Sequence, residues 1–230
     1  MTLGSDIQQL SSRCQTQLNA IYDYREHTKT VWDFFQQSVA AGQTVLVQST
    51  ATGSAVDEHG LLALSQTYVA NYLTSATFQQ FVSTFEDFLF DLFRLWLATY
   101  PVSLSDRSLK FGTVLKAGDV ATVTLAVIDK ELNELKYERV ADWFAYLNKL
   151  VKLGCPAPDE IEALAEMKAS RDIVVHNKGI ANAVYVSKSG SKARYKDGEN
   201  LEITEPYHRV SWQLVKKVLH DISDAAVRKA

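Results

Sequence analysis

Between Ser75 and Tyr100 the chain places Phe78, Phe81, Phe85, Phe88, Leu89, Leu92 and Trp96 at steps of three and four, widened by Phe93 and Leu97. That spacing puts them on one side of a helix, and Thr84, Asp87, Asp91 and Arg94 on the other. So broad an apolar face belongs in a core or a subunit interface. Ser75 can cap this helix, predicted over residues 76–99, and Tyr100-Pro101 ends it because the residue before proline avoids helical dihedrals.

The rest of the chain follows the same period, with only four prolines and ten glycines to interrupt it. Ile7, Leu10, Cys14, Leu18 and Ile21, then Trp32, Phe35 and Val39, predict a helical segment over residues 5–40. Gly42 and the stretch Gln43–Gly60 break the pattern, with Thr44–Val47 as a candidate short strand. Helices are predicted over residues 61–73, from Asp119, over 137–153 and over 207–228. Gly154 and Pro156 stop the third of these, and Pro158-Asp159 open a further one. Val184-Tyr185-Val186 and Ala193–Ile203, turning about Asp197-Gly198, predict a β-hairpin at about 184–204. The fold class is therefore all-α: an N-terminal helical extension over residues 1–58 and a helical domain over 59–230 carrying a small hairpin insert.

Composition bounds the function. A hydrophobic share of 47% reads as globular, and a net charge of -3 argues against a dedicated coating of nucleic acid while leaving room for a local basic site. Cys14 and Cys155 fit no metal spacing, and the chain shows neither a signal peptide nor an apolar run of membrane-spanning length. A reducing cytoplasmic setting is the expectation.

The chemistry concentrates in Arg171-Asp172-Ile173-Val174-Val175-His176-Asn177-Lys178-Gly179. Leu164, Met167, Arg171, Val174 and Val175 share a stripe, so Arg171 either snorkels to its rim or meets an anion. Asp172 and His176 are four apart, where the carboxylate can fix the imidazole tautomer and favour the charged ring. Gly179 predicts the helix stop, which puts His176 in the last turn, with Asn177 and Lys178 adding an amide and a second cation. Five residues advance a helix by about 140°, so Arg171 and His176 diverge on one helix. Two copies about a two-fold axis would pool both pairs in one cleft. A purely structural alternative pairs Arg171 with a helix acid and His176 with a carbonyl.

The string Arg171-Asp172-x-x-x-His176-Asn177-x-Gly179 resembles the signature of HEPN domains, an all-α superfamily rich in RNases. Its motif is an Arg, a polar residue, and a His after four to six intervening residues. The helix carrying Phe81, Phe85, Glu86 and Phe88-Leu89 lies upstream as that family's early core helix does, and roughly residues 60–228 are covered. The resemblance implies a metal-independent endoribonuclease without a cofactor, its site formed across a homodimer. Arg171 would contact the scissile phosphate, His176 would move a proton or position the attacking 2′-hydroxyl, Asp172 would hold the geometry, and Asn177 would add a polar contact. The products would be 2′,3′-cyclic phosphate or 3′-phosphate ends. A toxin or defence role is implied too, with an antitoxin or neighbouring defence protein as partner. Toxins of this family paired with a nucleotidyltransferase antitoxin often carry Tyr two residues after the His, where this chain has Lys178. Some members are non-catalytic modules that dimerise or bind nucleotide, which is the alternative reading.

Lys178, Lys192, Arg194 and Lys196, with Lys188 and the interleaved Tyr185 and Tyr195, could guide RNA to the motif. Glu199 and Glu202 dilute that cluster, so an ordinary solvated hairpin is the favoured reading of it. Asp87 and Asp91 could ligate a metal but lack a third ligand at matching spacing, so a solvated face is favoured. His27, His59, His208 and His220 read as structural or surface residues.

Overall fold

The computed structural model of the chain describes residues 2–43, 47–48, 50, 52–104, 108 and 110–230. Its helices are α1 (Leu3–Ala40), α2 (Glu58–Ser65), α3 (Thr74–Thr99), α4 (Phe111–Ala117), α5 (Val120–Leu135), α6 (Val140–Leu150), α7 (Pro158–His176), α8 (Ala183–Ser189) and α9 (Glu205–Val227). A π-helix, Gln66–Leu73, joins α2 to α3, and 3-10 turns lie at Pro101–Leu104 and Gly190–Lys192. Strands β1 (Val47–Gln48) and β2 (Ala55–Val56) pair antiparallel, Val47 opposite Val56. The described architecture is all-α, as the helical periodicity predicts. Of the candidate strand Thr44–Val47 only Val47 is described, and it lies in β1.

The phenylalanine-rich helix is the centre of the bundle. Phe78, Phe81, Phe85, Phe88 and Phe93 of α3 are completely buried, each contributing about 1.5–3 kcal/mol of burial free energy. α1 and α9 pack along it, and α5 and α7 flank it. Leu3, Ile7, Leu10, Cys14, Leu18 and Ile21 of α1 belong to the same core, so the first half of the segment expected as an extension is built into the bundle. Beyond Arg25 no residue of α1 is buried among those described. Trp143 of α6 is buried and its indole N–H donates to Leu135 O at 2.7 Å, which ties α6 to the end of α5.

Ser75 does not cap α3. The chain runs helical from Glu58 through Thr99 without a break, the π-helix delivering Leu73 already in helical dihedrals. Asp119 does cap α5, accepting from Thr122 N–H at 2.8 Å.

The hairpin predicted at 184–204 is absent, and the reason is local. Asn182 accepts the Tyr185 backbone N–H at 2.9 Å, an N-cap that turns Val184-Tyr185-Val186 into α8 and carries Tyr185 into the core. The Asp197-Gly198 reversal is real, with Gly198 at φ 85, but the returning chain pairs with residues 179–181. Leu201 N–H donates to Gly179 O at 2.7 Å, and Ile180 bridges Asn200. Among the described residues no helix is long and apolar enough to cross a membrane.

Candidate functional site

Helix α7 is set by both its ends. Pro158 occupies its first turn and the Glu160 carboxylate accepts Ala157 N–H at 2.8 Å. At the other end the helix stops at His176, and Lys178 (φ 54) and Gly179 (φ 79) both lie in the left-handed region. Gly179 N–H returns to Ile173 O at 3.2 Å, and the Asn177 side-chain amide donates to Ile180 O. Lys178 carries the cost of a Cβ in that conformation. Lys178→Gly is expected to stabilise the fold by about 0.5–1 kcal/mol, read as a raised urea midpoint. An unchanged or lowered midpoint would show that Lys178 is not strained.

The inward face of α7 is Leu164, Met167, Ala169 and Ile173, with Val174 partly buried. Val175, expected on that stripe, is exposed, and Ile173 takes its place in the core. Arg171 leaves the stripe through a partner on another helix. Its Nη2 meets Glu86 Oε2 of α3 at 2.6 Å and its Nη1 meets Asp172 Oδ1 at 3.1 Å. Lys168 Nζ joins both acids, at 3.3 Å from Glu86 and 3.4 Å from Asp172, and Lys188 of α8 approaches Asp172 at 3.9 Å. Arg171 Nε is buried without a hydrogen-bond partner.

These groups line one cleft of about 610 Å³ between α3, α6, α7 and α8. Arg171, Asp172, His176 and Asn177 all reach it, and Trp143 forms part of its wall with Lys168 Nζ 5.6 Å from the ring centroid. The expected Asp172–His176 pair does not form. Asp172 is held by three cations instead, and His176 is exposed and makes no hydrogen bond to any described residue. A cleft so furnished has cations for a phosphate, an imidazole open to solvent, and carboxylates that already compensate the cations.

None of the four residues expected to bind substrate lines this cleft. Lys178 faces a second cleft, Lys192 pairs with Asp159, and Lys196 is exposed on a separate groove. Arg194 is half-buried and turns its guanidinium inward. Its Nε donates to the buried Glu166 carboxylate at 3.0 Å, its Nη2 donates to Ser170 Oγ at 3.1 Å, and its guanidinium lies 3.3 Å from the Tyr207 ring centroid. Glu166 also accepts from Ser170 Oγ (2.6 Å), from Tyr185 Oη (2.8 Å) and from the Tyr207 hydroxyl. Burial, then the Glu166 charge, pushes the Tyr207 phenol well above its usual range and Tyr185 upward in the same direction. Arg194 is thus the counter-ion of a buried acid, and Lys188 is the cation of that cluster that reaches the cleft.

Two cleft residues escape a reading of the motif alone. Lys168 lies one helical turn before Asp172, a legible signal, whereas Glu86 comes from α3 and only tertiary packing brings it to Arg171. Asp91, the candidate metal ligand, pairs with Arg13 at 2.9 Å, and Asp87 lines the cleft. No group of three or more His, Cys, Asp and Glu side chains among the described residues is placed to hold a metal ion. No family model matches the chain, and no curated protein or solved structure matches it.

Proposed function

We propose that the chain is a metal-independent endoribonuclease of HEPN type whose working site is composite, formed by two copies of the α7 cleft. The observation that carries the reading is the convergence of Arg171, Asp172, His176 and Asn177 on one cleft. Arg171 would stabilise charge on the phosphorane as the 2′-hydroxyl oxygen bonds to phosphorus and the 5′-oxygen leaves. His176 would take the 2′-hydroxyl proton or deliver one to the leaving oxygen, giving a 2′,3′-cyclic phosphate. An imidazole without an intrachain partner suits this work, because its orienting contact can come from substrate or from the second copy. Val184 in the cleft wall and Val175, the residue before His176, are exposed and would offer an apolar rim to that second copy. A cytoplasmic toxin or defence role, restrained by an antitoxin or neighbouring defence protein, goes with the family reading.

Arg171→Ala and His176→Ala are each expected to lower RNA cleavage by at least about a hundredfold with the fold intact by circular dichroism. Glu86 keeps Lys168 as partner when Arg171 is removed, so its charge is not abandoned. Cleavage unaffected by either substitution would place the activity elsewhere.

One observation favours a second reading. Both terminal nitrogens of Arg171 are engaged by carboxylates, so a phosphate must compete for them. A non-catalytic module that binds nucleotide, RNA or a partner protein would tolerate that arrangement, and its motif substitutions would change affinity without any cleavage to lose.

A further inference from the structure

The last turn of α7 divides two clefts. Ile173, His176 and Asn177 face the first, while Val174, Lys178 and Gly179 face a second of about 890 Å³. The π-helix Gln66–Leu73 forms the far wall of this second cleft. A π-helix of eight residues is rare, and π segments concentrate at functional sites. Here it is braced from below. Thr74 Oγ1 donates to Val69 O at 2.8 Å and accepts from Arg25 Nε at 3.1 Å, and Arg25 is only 2% exposed. Arg25 lines the cleft, its Nη1 pairing with Glu26 and its Nη2 lying 3.6 Å from Glu205.

The chemistry of the cleft is amide chemistry. Gln66, Asn71 and Gln79 line it, and their side chains make no hydrogen bond to any described residue. Charge is balanced: Lys29 pairs with Asp33 at 2.6 Å, Arg25 lies beside Glu205, and Lys178 and Glu202 carry no ion pair among the described residues. Such a cleft has little field for a run of phosphates, but its free donors and acceptors match the edge of a nucleobase. Tyr72, 67% exposed, stands at its rim and stacks on Tyr68 at 6.3 Å, and Tyr68 meets Trp32 edge-on at 6.2 Å. A line of aromatic rings leading out of an amide-lined cleft, Tyr72 and Tyr68 exposed and Trp32 half-buried behind them, is a surface on which single-stranded bases stack.

We propose that this second cleft is a base-reading subsite. The strand would cross the Asn177–Gly179 turn from the scissile phosphate, present the adjacent base to Gln66, Asn71 and Gln79, and leave over Tyr72. The inference rests on the ribonuclease reading for the direction of the strand, but its test is binding. The His176→Ala protein would be titrated with fluorescent single-stranded hexamers of A, C, G or U. Wild-type subsite residues are expected to prefer one base, Gln66→Ala/Asn71→Ala to flatten that preference, and Tyr72→Ala to weaken binding about tenfold, with Tyr72→Phe retaining it. Equal affinities for all four hexamers, or affinities unchanged by these substitutions, would overturn the subsite. So would binding of nucleoside monophosphates that is as tight as that of the hexamers, since a free nucleotide and not a strand would then be the ligand. A change of oligomeric state in Tyr72→Ala with RNA affinity unchanged would assign the aromatic line to protein contact and also overturn it. The two readings fail separately. Base-selective binding without cleavage by the protein retaining His176 would sink the ribonuclease alone, and cleavage indifferent to Gln66 and Asn71 would sink the subsite alone.

Discussion

Arg194→Ala is expected to lower the unfolding free energy by about 3–5 kcal/mol, a large share of the 5–15 kcal/mol typical of a domain. The cost does not come from losing a surface charge. Glu166 is 3% exposed, and the substitution leaves its carboxylate buried with only the Ser170, Tyr185 and Tyr207 hydroxyls as donors. It also removes the guanidinium from the face of Tyr207. Replacing both partners, Glu166→Gln with Arg194→Met, removes the stranded charge while keeping an acceptor for those hydroxyls, and is expected to recover much of the loss. Urea denaturation of the two single variants and the double variant measures this directly. A cost below about 1 kcal/mol for Arg194→Ala would mean that the pair behaves as a solvated one.

Acid is expected to destabilise the protein through His208. The ring is fully buried, its Nε2 lies 2.8 Å from Thr77 Oγ1, and it packs against Phe81 and Tyr22. Burial, reinforced by the nearby Arg25 charge, lowers its pKa to about 3. The unfolded chain takes up the proton near pH 6.5 and the folded chain does not until about pH 3. Between those values the unfolded state holds more protons, so stability rises with pH across that window. On acidification the loss is about 1.4 kcal/mol per pH unit below 6.5. His208→Gln keeps a polar partner for Thr77 without a titrating group, so its stability should fall less steeply over pH 6.5–4. Parallel slopes for the two proteins would show that His208 does not remain neutral.

The long elements are legible in the sequence because their period is long. The α3 stripe from Phe78 to Trp96 and the α1 stripe from Ile7 to Ile21 follow from spacing alone, whereas α6 already ends at Leu150, ahead of the stop expected at Gly154. The segment after Gly179 misleads because a three-residue β-branched and aromatic run weighs less than one N-cap. Asn182 decides it, and the purpose is tertiary, to bring Tyr185 to Glu166. Arg194 misleads for a related reason: basic residues beside tyrosines read as an RNA surface until the buried acid facing them is seen. At the candidate site, helical spacing brings Arg171, Lys168 and Asp172 together, but Glu86 lies 85 residues from Arg171 and no local pattern announces it. Asp172 is unavailable to His176 for a different reason, since its carboxylate already sits among Lys168, Arg171 and Lys188.

The central claim is that the α7 cleft cleaves RNA through the substrate's own 2′-hydroxyl. The most direct measurement incubates the purified protein with single-stranded RNA in excess EDTA, beside the same sequence made as DNA, and identifies the product ends. Cleavage of RNA alone, with 2′,3′-cyclic phosphate ends, is the predicted result. Intact RNA at every protein concentration, or cleavage of DNA, would contradict it.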